Sequence, residues 1–404
     1  MHNRKSARFK KRWMIIPALI CAISLICYYA FCHLPLTQKE HRSGLSNDMS
    51  STIAASATFS MTDLYHIKAL SLLSNMTLEE KVGQLFIARC PTENAAQKAA
   101  DYHIGGYILF ERDFQGKSQS QIIAEIESYQ NAAAIPLFIG VDEEGGSVNR
   151  ISTNPQLRAT PFLSPQALYA QGGFALIRSD TQEKCELLKS LGINLNFAPV
   201  CDLSQNPTDF IYDRSFGQDS AMTAEYVRTL VTLMNQYQMG SVLKHFPGYG
   251  NNADTHTGVA YDLRPYETFV TADFLPFQAG IESGAQIVLV SHNIVACMDD
   301  SAPASLSLPV HEILRNELGY TGLIITDDLA MEGVRQLYTP QTIGIRAVEA
   351  GNDLLCCTDF EQQIPYVINA VQAGTLSEER IDESVLRILE YKYAMGIIPM
   401  PNAV

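Results

Sequence analysis

From Thr77 onward the chain alternates short apolar runs with longer amphipathic ones. The short runs are Val82–Ala88, Ile104–Phe110, Pro136–Val141, Leu195–Val200, Ser241–Leu243, Ala285–Val290, Gly322–Ile325 and Asp353–Cys357. Each is too brief for a helix and rich in Val, Ile, Leu or Phe, the pattern of a strand covered on both faces. Between them the period changes to that of a helix. In Ala221–Tyr237, residues Tyr226, Leu230, Leu233 and Tyr237 fall on one face. Ser118–Ala133, Thr181–Leu191, Tyr266–Ser283 and Val310–Leu318 read the same way, with Gly319 stopping the last. Thr77-x-x-Glu80 reads as a capping box, and a final helix is expected near Ser377–Ala394. Eight strands alternating with helices predict an α/β fold, a single TIM-type (β/α)8 barrel over residues 61–404. A doubly wound open sheet is the alternative. No Gly-x-Gly-x-x-Gly follows the first run, so a dinucleotide site has no support.

The amino terminus has a different pattern. Trp13–Gln38 contains no Asp, Glu, Lys or Arg, and about 20 apolar residues suffice to cross a bilayer. A transmembrane signal-anchor is therefore expected at 13–36. The basic segment 1–12 (Arg4, Lys5, Arg8, Lys10, Lys11 and Arg12) would stay in the cytoplasm and the remainder would face outward. The alternative is a cleaved secretory signal, whose apolar core normally runs about 7–15 residues. Residues 37–60, rich in Ser and Thr, suit a flexible tether.

The formal net charge is −14 even though the first twelve residues are strongly basic, so the body is more acidic still. Such a body repels phosphate backbones and argues against a nucleic-acid partner. Of nine cysteines, three lie in the apolar amino-terminal segment. The other six (Cys90, Cys185, Cys201, Cys297, Cys356 and Cys357) have no paired metal spacing and are expected as buried free thiols. Cys356 and Cys357, if in a strand, point to opposite faces. There is neither a His-x-x-x-His pair nor a His-Glu-x-x-His helix, so neither metal nor cofactor is expected.

Candidate chemistry gathers at the carboxyl ends of the apolar runs, the rim where barrels of this kind carry their sites. Run three leads into Asp142-Glu143-Glu144-Gly145-Gly146, run four into Asp202 and run five into Lys244-His245. Run six leads into Ser291-His292, and run seven into Asp327-Asp328. Arg150 and Arg214 stand in loops between these runs. Asp254-Thr255-His256 sets a carboxylate two residues from an imidazole, close enough to fix its tautomer and raise its basicity for acid/base work.

Lys244-His245-Phe246-Pro247-Gly248 followed by Asp254-x-His256 resembles the signature of bacterial β-N-acetylhexosaminidases of glycoside hydrolase family 3. The stretch Met76 to Gln84, Asp142-x-Glu144-Gly145-Gly146, Asn196-Phe197-Ala198-Pro199-Val200-x-Asp202 and Thr326-Asp327-Asp328-Leu329-x-Met331 extend the resemblance. It runs in order from about residue 62 to 397, and the second domain of many members is not expected.

The resemblance implies a retaining exo-hydrolase that removes a terminal β-linked N-acetylglucosamine through a covalent glycosyl–Asp intermediate, with a glycan as partner and no cofactor. It assigns Asp327 as nucleophile, His256 as general acid/base and Asp254 as the group orienting His256. Asp142, Arg150, Arg214, Lys244 and His245 would hold the sugar hydroxyls, and Asp202 and His292 would line the pocket. Lys244 and Arg214 are expected to lower the Asp327 pKa, and Asp328 is expected to project away from the site. A β-glucosidase or xylosidase, or an inactive tethered sugar-binding barrel, are the alternative functions. Four positions depart from the family pattern, Ser147, Tyr249, Asn251 and Asn252. Gly248-Tyr249-Gly250-Asn251-Asn252 stands where Gly-His-Gly-Asp-Thr is usual, and Ser147 stands where Arg is frequent.

Overall fold

The computed structural model describes residues 60–400. The expected cytoplasmic segment 1–12, the anchor 13–36 and all of the tether but Ser60 lie outside the described residues. Among the described residues no helix is long and apolar enough to cross a membrane.

Eight parallel strands form the barrel: β1 (Phe86–Arg89), β2 (Gly106–Leu109), β3 (Phe138–Val141), β4 (Leu195–Asn196), β5 (Gly240–Phe246), β6 (Ile287–Val290), β7 (Leu323–Thr326) and β8 (Leu355–Cys357). They pair in the order β8-β1-β2-β3-β4-β5-β6-β7. The seam between β7 and β8 is closed by Leu354 N–H donating to the Ile324 carbonyl (3.0 Å) and Thr326 N–H to the Leu354 carbonyl (3.2 Å). Nearly every strand residue is buried, as the unbroken apolar runs require. The barrel expected from alternation is the architecture found, and the open sheet is not.

The boundaries differ where two elements share one apolar run. Val82–Ala88 is not one strand. The helix Leu78–Gln84 occupies its first half, and β1 begins at Phe86. That helix is opened by the expected capping box, with Glu80 N–H on the Thr77 hydroxyl (3.3 Å) and Thr77 N–H on the Glu80 carboxylate (2.8 Å). The helix expected at Thr181–Leu191 starts far earlier and runs over Pro165–Ser190, interrupted at Gly173 with φ 57°. The helix Ser220–Gln236 buries Tyr226, Val227, Leu230, Val231 and Met234, so its apolar stripe is rotated from the expected one, leaving Leu233 and Tyr237 half-buried.

The base of the barrel is sealed by the last helix, Glu378–Ala394, whose buried Lys392 sits beneath β1 to β3. Its Nζ donates to Gln84 Oε1 (2.8 Å) and the Gly105 carbonyl (2.9 Å), and lies 4.9 Å from the centre of the Phe138 ring. Five cysteines are buried free thiols as expected, but Cys297 is exposed, because it follows the short strand Ile294–Val295 into a surface turn.

Candidate active site

The polar ends of the strands enclose a cavity of about 520 Å³ at the carboxyl-terminal rim. Ile108, Leu289 and Cys356, set within β2, β6 and β8, lie deeper than the charged groups and form its apolar floor with Phe197. Cys357, next along β8, does not line the cavity, as strand alternation requires.

Glu144 is the hub of the polar wall. Arg214 holds it through two bonds, Nε to Oε2 at 3.0 Å and a terminal nitrogen to Oε1 at 2.8 Å, and Lys244 Nζ lies 2.6 Å from Oε1. Lys244 also binds Asp142 Oδ1 at 2.7 Å. Burial alone would push the Glu144 carboxyl up, but the two cations outweigh it and keep the group ionised well below the usual carboxylate range. Arg214 is correspondingly pushed up, its burial overcome by Glu144. Residue patterns alone did not mark Glu144 as a site residue. Its partners lie 70 and 100 positions away, and the one local sign was its place between Asp142 and Gly145-Gly146.

Neighbouring Glu143 is wholly buried and shapes the loop that follows. Its Oε2 accepts the N–H groups of Arg150 (2.8 Å) and Ile151 (2.7 Å), and its Oε1 accepts the N–H of Ser152 (3.2 Å) and the Ser152 hydroxyl. This loop carries Ser147 and Arg150 to the cavity wall.

Lys244 and His245 are adjacent in β5, and a regular strand would turn them to opposite faces. The bond between them is cis, and both line the cavity. Behind His245 sits Asp202, which does not reach the cavity as expected. Asp202 is a support. Its Oδ2 accepts from His245 Nδ1 (2.7 Å) and the His245 N–H (3.1 Å), and its Oδ1 accepts the Tyr249 N–H (2.7 Å). His292 is likewise behind the wall, with Nδ1 on the Ser305 hydroxyl (2.7 Å) and Nε2 on the Asp328 carbonyl (3.0 Å). Both were expected to line the pocket. Their strand ends are covered by the loops that follow, so the side chains meet protein rather than the cavity.

The Asp254–His256 dyad is formed as expected. One carboxylate oxygen, Oδ1, accepts from the His256 backbone N–H at 2.9 Å and stands 2.7 Å from Nδ1. Both residues line the cavity, with His256 the more exposed. The loop beneath them is tied by Tyr249, whose buried hydroxyl accepts the Thr255 N–H (2.9 Å) and stands 2.8 Å from the Thr255 hydroxyl. Asn252 adds a bond to Asp262 at 2.7 Å. Two of the positions that depart from the family pattern thus supply the cross-links of this loop.

Asp327, just past β7, faces the cavity with one intramolecular bond, from the Asp328 N–H to Oδ1 at 2.8 Å. Burial would raise its pKa. The imidazoles of His292, His245 and His256 and that N–H outweigh burial and hold it below the ordinary range. Burial depresses the pKa of His292 itself, with the Asp327 carboxylate opposing that shift. Lys244 and Arg214 do not take the role expected for them, because Asp142 and Glu144 neutralise them. Asp328 also borders the cavity, since β7 ends at Thr326 and alternation lapses beyond it. Its carboxylate is occupied, however, by the N–H groups of Ala330 (2.9 Å) and Thr358 (3.1 Å) and by the Thr358 hydroxyl. Asp327 is left as the carboxylate with fewer hydrogen bonds.

Arg89 and Arg150 also line the cavity, and both lie near the Phe110 ring, 4.4 Å and 5.5 Å from its centre. Arg89 had no sign in the sequence beyond ending an apolar run.

The chain matches the glycosyl hydrolase family 3 N-terminal domain over residues 77–391. It belongs to glycoside hydrolase family 3. A β-hexosaminidase of Xanthomonas campestris pv. campestris is 36% identical over 233 residues, which cover 56% of this chain and 69% of that protein. A β-hexosaminidase of Nitrosomonas eutropha is 33% identical over 302 residues, 70% of this chain and 83% of that one. A family 3 β-N-acetylglucosaminidase structure from Paenibacillus sp. str. FPU-7 superposes with a TM-score of 0.74 at 31% identity, covering 81% of this chain and 64% of that chain. The rim cavity is therefore that of a glycoside hydrolase.

Proposed function

We propose that the protein is a retaining exo-hydrolase that releases terminal β-linked N-acetylglucosamine from cell-wall-derived or related glycans. Asp327 attacks the anomeric carbon and His256 protonates the departing oxygen, then activates the water that hydrolyses the glycosyl–Asp intermediate. Asp254 holds the imidazole in the productive tautomer. Asp142, Arg150, Arg214, Lys244 and His245 grip the sugar hydroxyls, with Asp202 fixing the His245 ring from behind. One observation carries this reading. A carboxylate with a single intramolecular bond and a carboxylate-oriented imidazole line one cavity of about 520 Å³.

The test is release of nitrophenol from the β-N-acetylglucosaminide by residues 60–404, against Asp327→Asn. We expect turnover by the intact sequence and at least about 10³-fold loss in the variant. Equal rates would overturn the assignment of Asp327, and preference for the plain β-glucoside would overturn that of the substrate.

The cation-flanked apolar run 13–36 supports a single-pass membrane anchor with the barrel outside the cell. Fractionation of the full chain should place activity with membranes and leave it open to external protease. Activity in the soluble fraction after cleavage near Ala55-Ser56-Ala57 would favour a removed signal instead.

A further inference from the structure

His256 and Asp327 stand on different connections, those after β5 and β7, yet the proposed chemistry needs both at one glycosidic bond. The His256 side chain is exposed, and its hydrogen-bond partner, Asp254, belongs to the same loop, so the cavity wall does not locate it. The backbone beneath it does. Thr255, between Asp254 and His256, is wholly buried and held at both of its peptide groups. Its N–H donates to the Tyr249 hydroxyl (2.9 Å), and its carbonyl accepts the N–H of Gly333 (2.9 Å). Gly333 lies in the short helix Glu332–Arg335, on the connection that begins with Asp327. That connection is itself tied down. Asp327 N–H donates to the Val290 carbonyl (3.1 Å), Leu329 N–H to the Cys356 carbonyl (3.0 Å) and Met331 N–H to the Asp328 carbonyl (2.9 Å).

The seat leaves no room for a side chain. A Cβ on Gly333 would stand 3.0 Å from both the Cβ and the carbonyl oxygen of Thr255, and 3.2 Å from the Gly258 carbonyl oxygen. These three nearest atoms all belong to the segment that carries His256. The Gly333 backbone lies outside the left-handed region, so Ala suits the helix itself and only the docked segment resists it. A methyl group there displaces that segment by a few tenths of an ångström.

We propose that Gly333 is a positioning residue. By seating Thr255 against the connection that carries the nucleophile, it sets the distance between proton donor and nucleophile across the scissile bond. This rests on His256 being the proton donor, and the experiment separates the two.

Wild type, Gly333→Ala, Gly333→Val and His256→Ala are compared on dinitrophenyl and phenyl β-N-acetylglucosaminides. Dinitrophenolate departs unaided, whereas phenolate needs a proton, so kcat/KM on the pair reads proton donation apart from nucleophilic attack. Misplacement by an ångström costs about 10²-fold, so on the phenyl substrate we expect Gly333→Ala to lose about tenfold and Gly333→Val about 10²-fold. On the dinitrophenyl substrate each should change less than threefold, and the urea midpoint of Gly333→Ala should match wild type. Gly333→Ala alone decides if Gly333→Val does not fold. Equal losses on both substrates in a folded variant would make Gly333 plain packing and overturn the proposal. So would a loss below threefold on the phenyl substrate in every variant that folds. A second measurement needs no variant: hydrogen exchange at the wild-type Gly333 amide should be at least tenfold slower than in an unstructured peptide, and exchange at the free rate would overturn the seat. His256→Ala judges the underlying reading. It should lose more than the Gly333 variants on the phenyl substrate and little on the other; equal losses, or a wild type inactive on both, would overturn that reading instead.

Discussion

Glu144 ties Arg214 and Lys244 together at one buried point, so its charge holds up the polar wall of the cavity as a unit. Glu144→Gln keeps the shape and leaves two buried cations sharing Asp142. Breaking a buried pair in this way costs about 3–5 kcal/mol, so the unfolding midpoint should fall markedly in urea, with kcat/KM down about 10²-fold or more. Asp327 leads to a pH prediction. Its folded-state pKa is depressed, so the carboxylate persists to lower pH than a free one. The acid limb of kcat/KM should therefore lie below about pH 4, and a limb at pH 5–6 would show Asp327 in a less cationic setting than the one described. At this scale the sequence was most legible where partners are close. Asp254 and His256 are two residues apart, and their bond could be read from spacing. Asp202 and His292 could not be told from pocket residues, because what covers a strand end is decided by loops distant in sequence.

The loop from Tyr249 to Thr257 is where the elements decide reactivity. Its His256 side chain is exposed, and its internal anchor is the Tyr249 hydroxyl on Thr255, the residue between Asp254 and His256. Tyr249→Phe leaves the buried Thr255 N–H without an acceptor, a local cost of about 1–3 kcal/mol. On the proposed function, the expected outcome is a kcat lower by about tenfold with KM within twofold, because the Glu144 wall is untouched and only the placement of His256 loosens. A matched rise in KM would assign Tyr249 to substrate binding instead. Strand identities were legible from apolar runs, whereas the start of β1 was not. Helix and strand there share one continuous apolar stretch, which periodicity cannot divide.

Across the whole molecule, site and foundation sit at opposite ends of the barrel. Lys392 plugs the base, and burial lowers its pKa to about 7. In the unfolded chain it titrates near about 10.4. Between these values the unfolded chain holds the extra proton, so stability rises with pH across that window. Below about pH 7 both forms are charged, and the penalty for burying the ammonium is fully present. Urea unfolding of wild type and Lys392→Met at pH 7 and pH 9.5 should show the difference moving in favour of wild type at the higher pH, by on the order of a few kcal/mol. A difference that does not move would mean Lys392 is stably charged in the fold. The eight-unit alternation was legible because each strand is covered on both faces. The plug was not, since an isolated Lys in an amphipathic helix looks solvent-facing until the barrel is closed over it.

The floor of Ile108, Phe197, Leu289 and Cys356 turns the cavity into a well with one mouth. A glycan can dip its last residue in but cannot thread through, so the freed monosaccharide must climb out the way it came before another end can descend. Degradation by such an enzyme is distributive. A population of oligomers should shorten together, one unit per encounter, rather than some chains vanishing while others stay whole.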